Sequence, residues 1–171
     1  MPKISLAEAV KLKSVLSKRI HELEEEMDRL AFIDIEKGNK IPKQVRTLTD
    51  VEQDIEEVRK DVRLLDKLMY KANIENEIIF NDEELTIVEA IELATQLRAK
   101  ARKYKVYGTA PKEDFSYSYS EGVPLVKVAL FDPEVYRLKG LEIDRQANRL
   151  SNLINAKNYS IQLNFDSEKY F

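Results

Sequence analysis

The chain has 171 residues, 43% hydrophobic and 35% charged, with 28 Lys plus Arg against 31 Asp plus Glu for a net charge of −3. With no Cys, a thiol nucleophile, a Cys zinc site and a disulfide framework are excluded, and the mixed charge excludes a disordered tail and a uniformly basic nucleic-acid binder. Only 4 Gly and 5 Pro favour long helices over a many-turned β fold.

No apolar run reaches the length of a membrane span, so no membrane partner is expected. A helix pattern follows Met1-Pro2-Lys3 at once, so no secretory signal is expected and the expected location is cytoplasmic. Ser5-Leu6-Ala7-Glu8 reads as a capping box, in which the Ser hydroxyl and the Glu carboxylate satisfy free amides reciprocally. Ala9, Leu12, Leu16, Ile20, Leu23, Met27 and Leu30 then recur at spacings of 3 and 4, which predicts a first helix of about 26 residues. Residues 32–35 and 41–48, around Lys37-Gly38-Asn39-Lys40, predict a short hairpin. Thr49-Asp50-Val51-Glu52 reads as the cap of a second helix. Its stripe of Val51, Ile55, Val58, Val62, Leu65, Met69 and Ala72 forms a heptad seam suited to packing on another helix. Ile78-Ile79-Phe80 follows as a short extended run.

Thr86 with Glu89 opens a third helix, with Ile87, Ile91, Ala94, Leu97, Ala101 and Tyr104 as its stripe. Residues 115–120 alternate aromatic and small polar side chains, and 125–131 read as a second strand, so a β-hairpin is expected here. Asp132-Pro133-Glu134 opens a fourth helix, since Pro is tolerated at the first helical position. Ile143, Ala147, Leu150 and Ile154 carry its stripe, and residues 161–165 end extended.

The chain repeats itself. Across 5–16 and 86–97, four of twelve positions are identical and four more conservative. Leu65/Leu150, Leu68/Leu153, Asn73/Asn158 and Phe80/Phe165 match in the same order. Two ordered windows favour an internal duplication. The expected fold is therefore mainly α. It is an antiparallel four-helix bundle in a single domain over 1–171, built from pseudo-repeat halves at 5–81 and 86–166, with a β-hairpin inserted between helices three and four.

Leu6-Ala7-Glu8-Ala9, Asn73-Ile74-Glu75-Asn76, residues 85–91 and Leu153-Ile154-Asn155 with Asn158 resemble the septicolysin-like family of small helical proteins of bacteria and mobile elements. The resemblance spans most of the chain. It implies a small helical fold and brings no defined activity. Tyr159 stands where such proteins often carry Trp, and the 115–131 hairpin is longer than usual for them.

No catalytic set is legible. His21 is the sole His and lies on a charged helix face, Ser14 and Ser17 lack a base, and no phosphate-loop motif is present. The expectation is a non-enzyme with no metal and no cofactor. The charge layout says more. Residues 98–107 hold five basic residues, no acid and two tyrosines, and 37–46 hold four basic residues and no acid. In an up-down-up-down bundle both segments would reach one end.

The same layout follows from helix-end electrostatics, because Lys and Arg favour helix C-termini. Read functionally, it is a basic, Tyr-bearing site. The candidate ligand-binding residues are Arg98, Arg102, Tyr104 and Lys105, with Lys43, Arg46, and Tyr117 and Tyr119 of the hairpin. Arg forks suit phosphate, and Tyr rings stack on bases. The expected function is a non-enzymatic homo-oligomer that binds a small anionic, nucleotide-derived ligand. Its sharpest form is a phage protein that sequesters an immune signal. The alternative is a structural or protein-binding helical module without a small ligand. The net charge counts against nucleic acid as a partner.

Overall fold

The structure, a computed structural model, describes residues 2–116 and 122–171. It bears out the mainly α class: the described residues are 63% helical, with four helices and small antiparallel strand pairs among them. In chain order the elements are β1 (Ile4–Ser5), α1 (Leu6–Ala31), α2 (Leu48–Glu75), β2 (Glu77–Phe80), β3 (Glu83–Thr86), α3 (Ile87–Gly108), β4 (Glu113–Phe115), β5 (Val126–Val128), α4 (Pro133–Ser160) and β6 (Gln162–Leu163). Two compact units result. One comprises Met1–Glu75 with Lys157–Phe171, the other Asn76–Ala156.

The first unit is an antiparallel pair of long helices. Ser5 caps α1 as a full capping box: its amide donates to Glu8 Oε2 (2.7 Å) and its Oγ accepts from the Glu8 amide (3.1 Å). Leu6, Ala9, Leu12, Leu16 and Leu23 of α1 and Val51, Ile55, Val58, Leu65 and Ala72 of α2 are buried. Lys13 to Asp66 (2.6 Å) and Arg59 to Glu24 (3.1 Å) bridge the two helices at the surface. Val62 is only half-buried, so the seam narrows at its middle.

The connection at 32–47 corrects the expected hairpin, because no strand forms there. Pro42 removes a ladder donor, and Gly38 (φ 93°) sits in a local turn closed by the Asn39 amide on the Glu36 carbonyl (3.0 Å). The end of the segment is held by a cap instead. The Thr47 amide donates to Asp50 Oδ2 (2.8 Å), and the Asp50 amide donates to Thr47 Oγ1 (3.2 Å). Thr47 and Asp50 therefore replace the expected Thr49 and Glu52 cap, and α2 starts two residues early.

β6 packs against both α1 and α2 and pairs with β1, Ile4 opposite Leu163. The C-terminal segment docks beside it. Lys169 reaches Asp61 (2.5 Å), and the Tyr170 hydroxyl donates to the same carboxylate. Partial burial first, and the hydrogen bond and negative charge of Asp61 second, push the Tyr170 phenol well above its ordinary range.

The second unit pairs α3 with α4, also antiparallel. Thr86 caps α3 through Oγ1, which accepts from the Glu89 amide (3.2 Å), and Asp132 caps α4 through the Glu134 amide (3.0 Å). Its buried residues include many small ones: Ala90, Ala94 and Ala101 on α3, with Gly140 and Ala147 on α4. The expected Ile91 is exposed, and Ala90 takes its place. A Cβ on Gly108 would lie 2.6 Å from Arg137 Cα, so the two backbones nearly touch there. Leu150, Ile143 and Ile154 are buried as expected. β2 and β3 form a four-residue-per-strand hairpin against α3, turned by Asn81 (φ 49°) and Asp82 (φ 62°). The inserted hairpin is present: β4 and β5 pair over Glu113–Phe115 and Val126–Val128, and residues 117–120 of the expected first strand lie outside the described residues.

Among the described residues no helix is long and apolar enough to cross a membrane, and no group of three or more His, Asp or Glu is placed to hold a metal ion.

Candidate functional site

The second unit carries a cleft where α3 ends. Gly108 allows the close approach of α4. The Thr109 amide then ends the helix on the Lys105 carbonyl (3.0 Å), and its Oγ1 donates to the Val106 carbonyl (2.9 Å). Pro111 turns the chain into β4. Lys112 fastens the hairpin to the start of α4: its carbonyl accepts from the Ala129 amide (2.9 Å), and its Nζ donates to the Ala129 (2.9 Å) and Phe131 (3.0 Å) carbonyls. Between these pieces lies a space of about 450 Å³, lined by Val106, Tyr107, Ala110, Val128, Leu130 and Phe131, with Asp114 and Lys127 as its polar members.

One wall is an aromatic cluster. Tyr107 meets Phe131 at 5.2 Å and Tyr136 at 5.6 Å, Phe131 meets Tyr136 at 5.2 Å, and Tyr104 stands edge-on to Tyr136 at 5.1 Å. Such pairs fix ring orientation beyond simple burial. Three cations lie over the rings: Lys100 on Tyr104 (5.6 Å), Lys103 on Tyr107 (5.5 Å) and Lys139 on Tyr136 (4.8 Å). All three lysines are exposed, so each keeps its ammonium near solvent.

The expected cations divide. Arg98 donates to the Ser151 hydroxyl and Lys105 pairs with Asp144, so both are drawn onto α4. Arg46, in the first unit, is clamped between Glu26 (2.5 Å) and Asp54 (2.6 Å), and the two carboxylates raise its guanidinium above its ordinary value. Lys43 lies exposed in the same unit. Arg102 is exposed and makes no ion pair or hydrogen bond among the described residues. It precedes Val106 by four residues, which puts it one turn away on the cleft face of α3. Tyr104 belongs to the aromatic cluster. Tyr117 and Tyr119 lie outside the described residues.

The structure also adds Tyr107, Phe131, Tyr136 and Lys127. Tyr104 and Tyr107 stand at i and i+3, a spacing that signals one face. Nothing in the sequence joins them to Phe131 and Tyr136, which arrive on α4 and its lead-in. In the first turns of α4, Arg137 holds the Glu134 carboxyl below its ordinary value (Nη2 to Oε1, 2.6 Å). That carboxylate is thereby a partner of Arg137 and not a free base.

No protein-family model matches the chain, and no curated protein matches it. A solved structure does: a functionally unknown conserved protein from Corynebacterium diphtheriae, with a TM-score of 0.65 and 21% identity over 95% of this chain and 99% of that one. At that identity the likeness shows a shared fold, and the fold extends over nearly the whole of both chains.

Proposed function

We propose that the protein binds, without turnover, a small ligand that joins an apolar or planar aromatic part to an anionic group, a nucleotide-derived molecule being the best fit. The carrying observation is the cleft of about 450 Å³ at the end of α3, with an aromatic wall and with Lys127 in its lining; the exposed Arg102 stands one helical turn before the lining residue Val106. Apolar pockets with a few convergent polar groups are the usual form of small-molecule sites. The repeat supports the choice of unit. Positions equivalent to Arg102, Lys103 and Lys105 in the first half are His21, Glu22 and Glu24. Only the second unit has gained the cations.

A phage protein that withholds a nucleotide-derived immune signal, a cytoplasmic location and membership of the septicolysin-like family belong to the same proposal. Thermal-shift measurements against cyclic dinucleotides, ADP-ribose derivatives and NAD test it. One of these should raise the melting temperature. Arg102→Ala should then weaken binding by about ten- to a hundredfold, the value of a hydrogen bond to a charged group, with helix content unchanged. If no anionic nucleotide shifts the wild type, the reading fails.

The second reading, a protein-binding module that includes self-association, is favoured by the hairpin itself. Leu130 is 97% and Phe115 76% exposed, with Val126 and Val128 half out of the core. Self-association belongs to the ligand-binding reading as well: a homo-oligomer is expected by light scattering at tens of micromolar, and a monomeric mass would overturn that expectation.

A further inference from the structure

The two repeats do not coincide with the two compact units. β1 leads into the first repeat, yet it pairs with β6, the closing strand of the second. β3 leads into the second repeat, yet it pairs with β2, the closing strand of the first. The two ladders are equivalent. Under the sequence match, Ile4 opposite Leu163 becomes Leu85 opposite Ile78, and Ser5 opposite Gln162 becomes Thr86 opposite Glu77. The adjoining hydrogen bonds are equivalent as well. The Leu6 amide donates to the Ile161 carbonyl (2.9 Å), and the Ile87 amide donates to the Asn76 carbonyl (3.0 Å).

Each slot receives the same kind of segment. Ile78 and Phe80 enter one, Leu163 and Phe165 the other, and all four are buried. Alternate apolar residues with an aromatic second anchor, added to a strand edge, form a recognised mode of segment binding. The reason for the exchange is local. α2 runs into β2 across the single residue Asn76, and a two-residue turn at Asn81 and Asp82 folds β2 back on β3 instead of on β1.

We infer that the chain is a fused pair of strand-exchanged repeats: the strand edge at the start of each repeat's first helix is an interaction surface whose partner is the closing segment of another copy of the repeat. The covalent link at Asn81 and Asp82 supplies proximity and is not what holds the repeats together. Exchange of an identical element between copies is the ordinary route to a swapped dimer, and here both copies lie in one chain.

The test uses the full chain with a protease site inserted between Asn81 and Asp82, cut after folding. The two pieces should elute together at the mass of the uncut chain. Cutting should make their melting temperature depend on concentration more steeply than that of the uncut chain, as for an assembly with one more part. Leu163→Asp combined with Ile78→Asp should let the cut pieces part, while the uncut double variant keeps its helical signal. Separation of the unsubstituted pieces in native buffer overturns the inference. So does retention of the doubly substituted ones, because something other than the strands would then join them. A second variant guards against an insertion that blocks folding. It starts at Asp82 and ends at Asn81, with residue 171 joined to residue 2 by a Gly/Ser linker. It should melt cooperatively with native helix content, and failure of both to fold overturns the inference.

Discussion

Glu8 shows how much one carboxylate can do at a helix start. It accepts from the Ser5 amide and hydroxyl, and the backbone bond is the main cause that lowers its carboxyl below the ordinary value. Asp50 is lowered in the same way by the Thr47 amide. A carboxyl lowered by folding contributes stability that is complete above its unfolded value. The contribution disappears as pH falls through the folded one. Urea midpoints should therefore hold at neutral pH and fall on the acid side of the ordinary carboxylate range. Glu8→Gln should flatten part of that slope and leave the neutral plateau slightly lower. An unchanged acid slope would mean that the cap exerts no pull on folding. Core residues act through volume instead. Leu65 is fully buried and Val62 half-buried, so Leu65→Ala should cost about 2–5 kcal/mol in denaturant unfolding. A charge at Val62 has a path to water and should cost less than the same charge at Leu65.

At the scale of elements, Gly108 decides how closely α3 and α4 approach. Gly108→Ala places a methyl group against the Arg137 backbone, which has no flexible end to yield. The expected loss is about 1–3 kcal/mol, as for overpacking, read as a lower thermal midpoint. The same contact explains what could be read in advance. Helices announced themselves because caps and 3.6-residue periodicity are local, and the Ser5, Thr86 and Asp132 starts stand where the pattern puts them. The first hairpin failed because alternation at 32–35 and 41–48 competes with Pro42 and with the Thr47 cap, and the cap won. Ile91 and Ala90 exchanged roles because a seam of alanines brings helices close enough to leave a large neighbour outside. The cations were legible as a cluster but not as free or engaged. Whether Arg98 and Lys105 are paired depends on Ser151 and Asp144, which only the packing of α4 brings opposite. The aromatic wall was hidden for the same reason.

For the whole molecule, the exchange of strands sets an order in time. The Leu6 and Ile87 amides make equivalent hydrogen bonds in equivalent ladders. One ladder is closed by a two-residue turn, and the other joins residues near the two ends of the chain. The longer closure spans about four more doublings of loop length, worth about 2.5 kcal/mol of chain entropy at the rate of about 0.6 per doubling. Long-range pairings wait until the intervening chain has condensed. Pulse-labelling during refolding should therefore find the Ile87 amide protected before the Leu6 amide, and simultaneous protection would contradict this order. The hairpin at Asn81 and Asp82 is then the early seed and the β1–β6 pair the clasp. Two copies of one joint, alike in chemistry, become the first and last events of a single folding reaction.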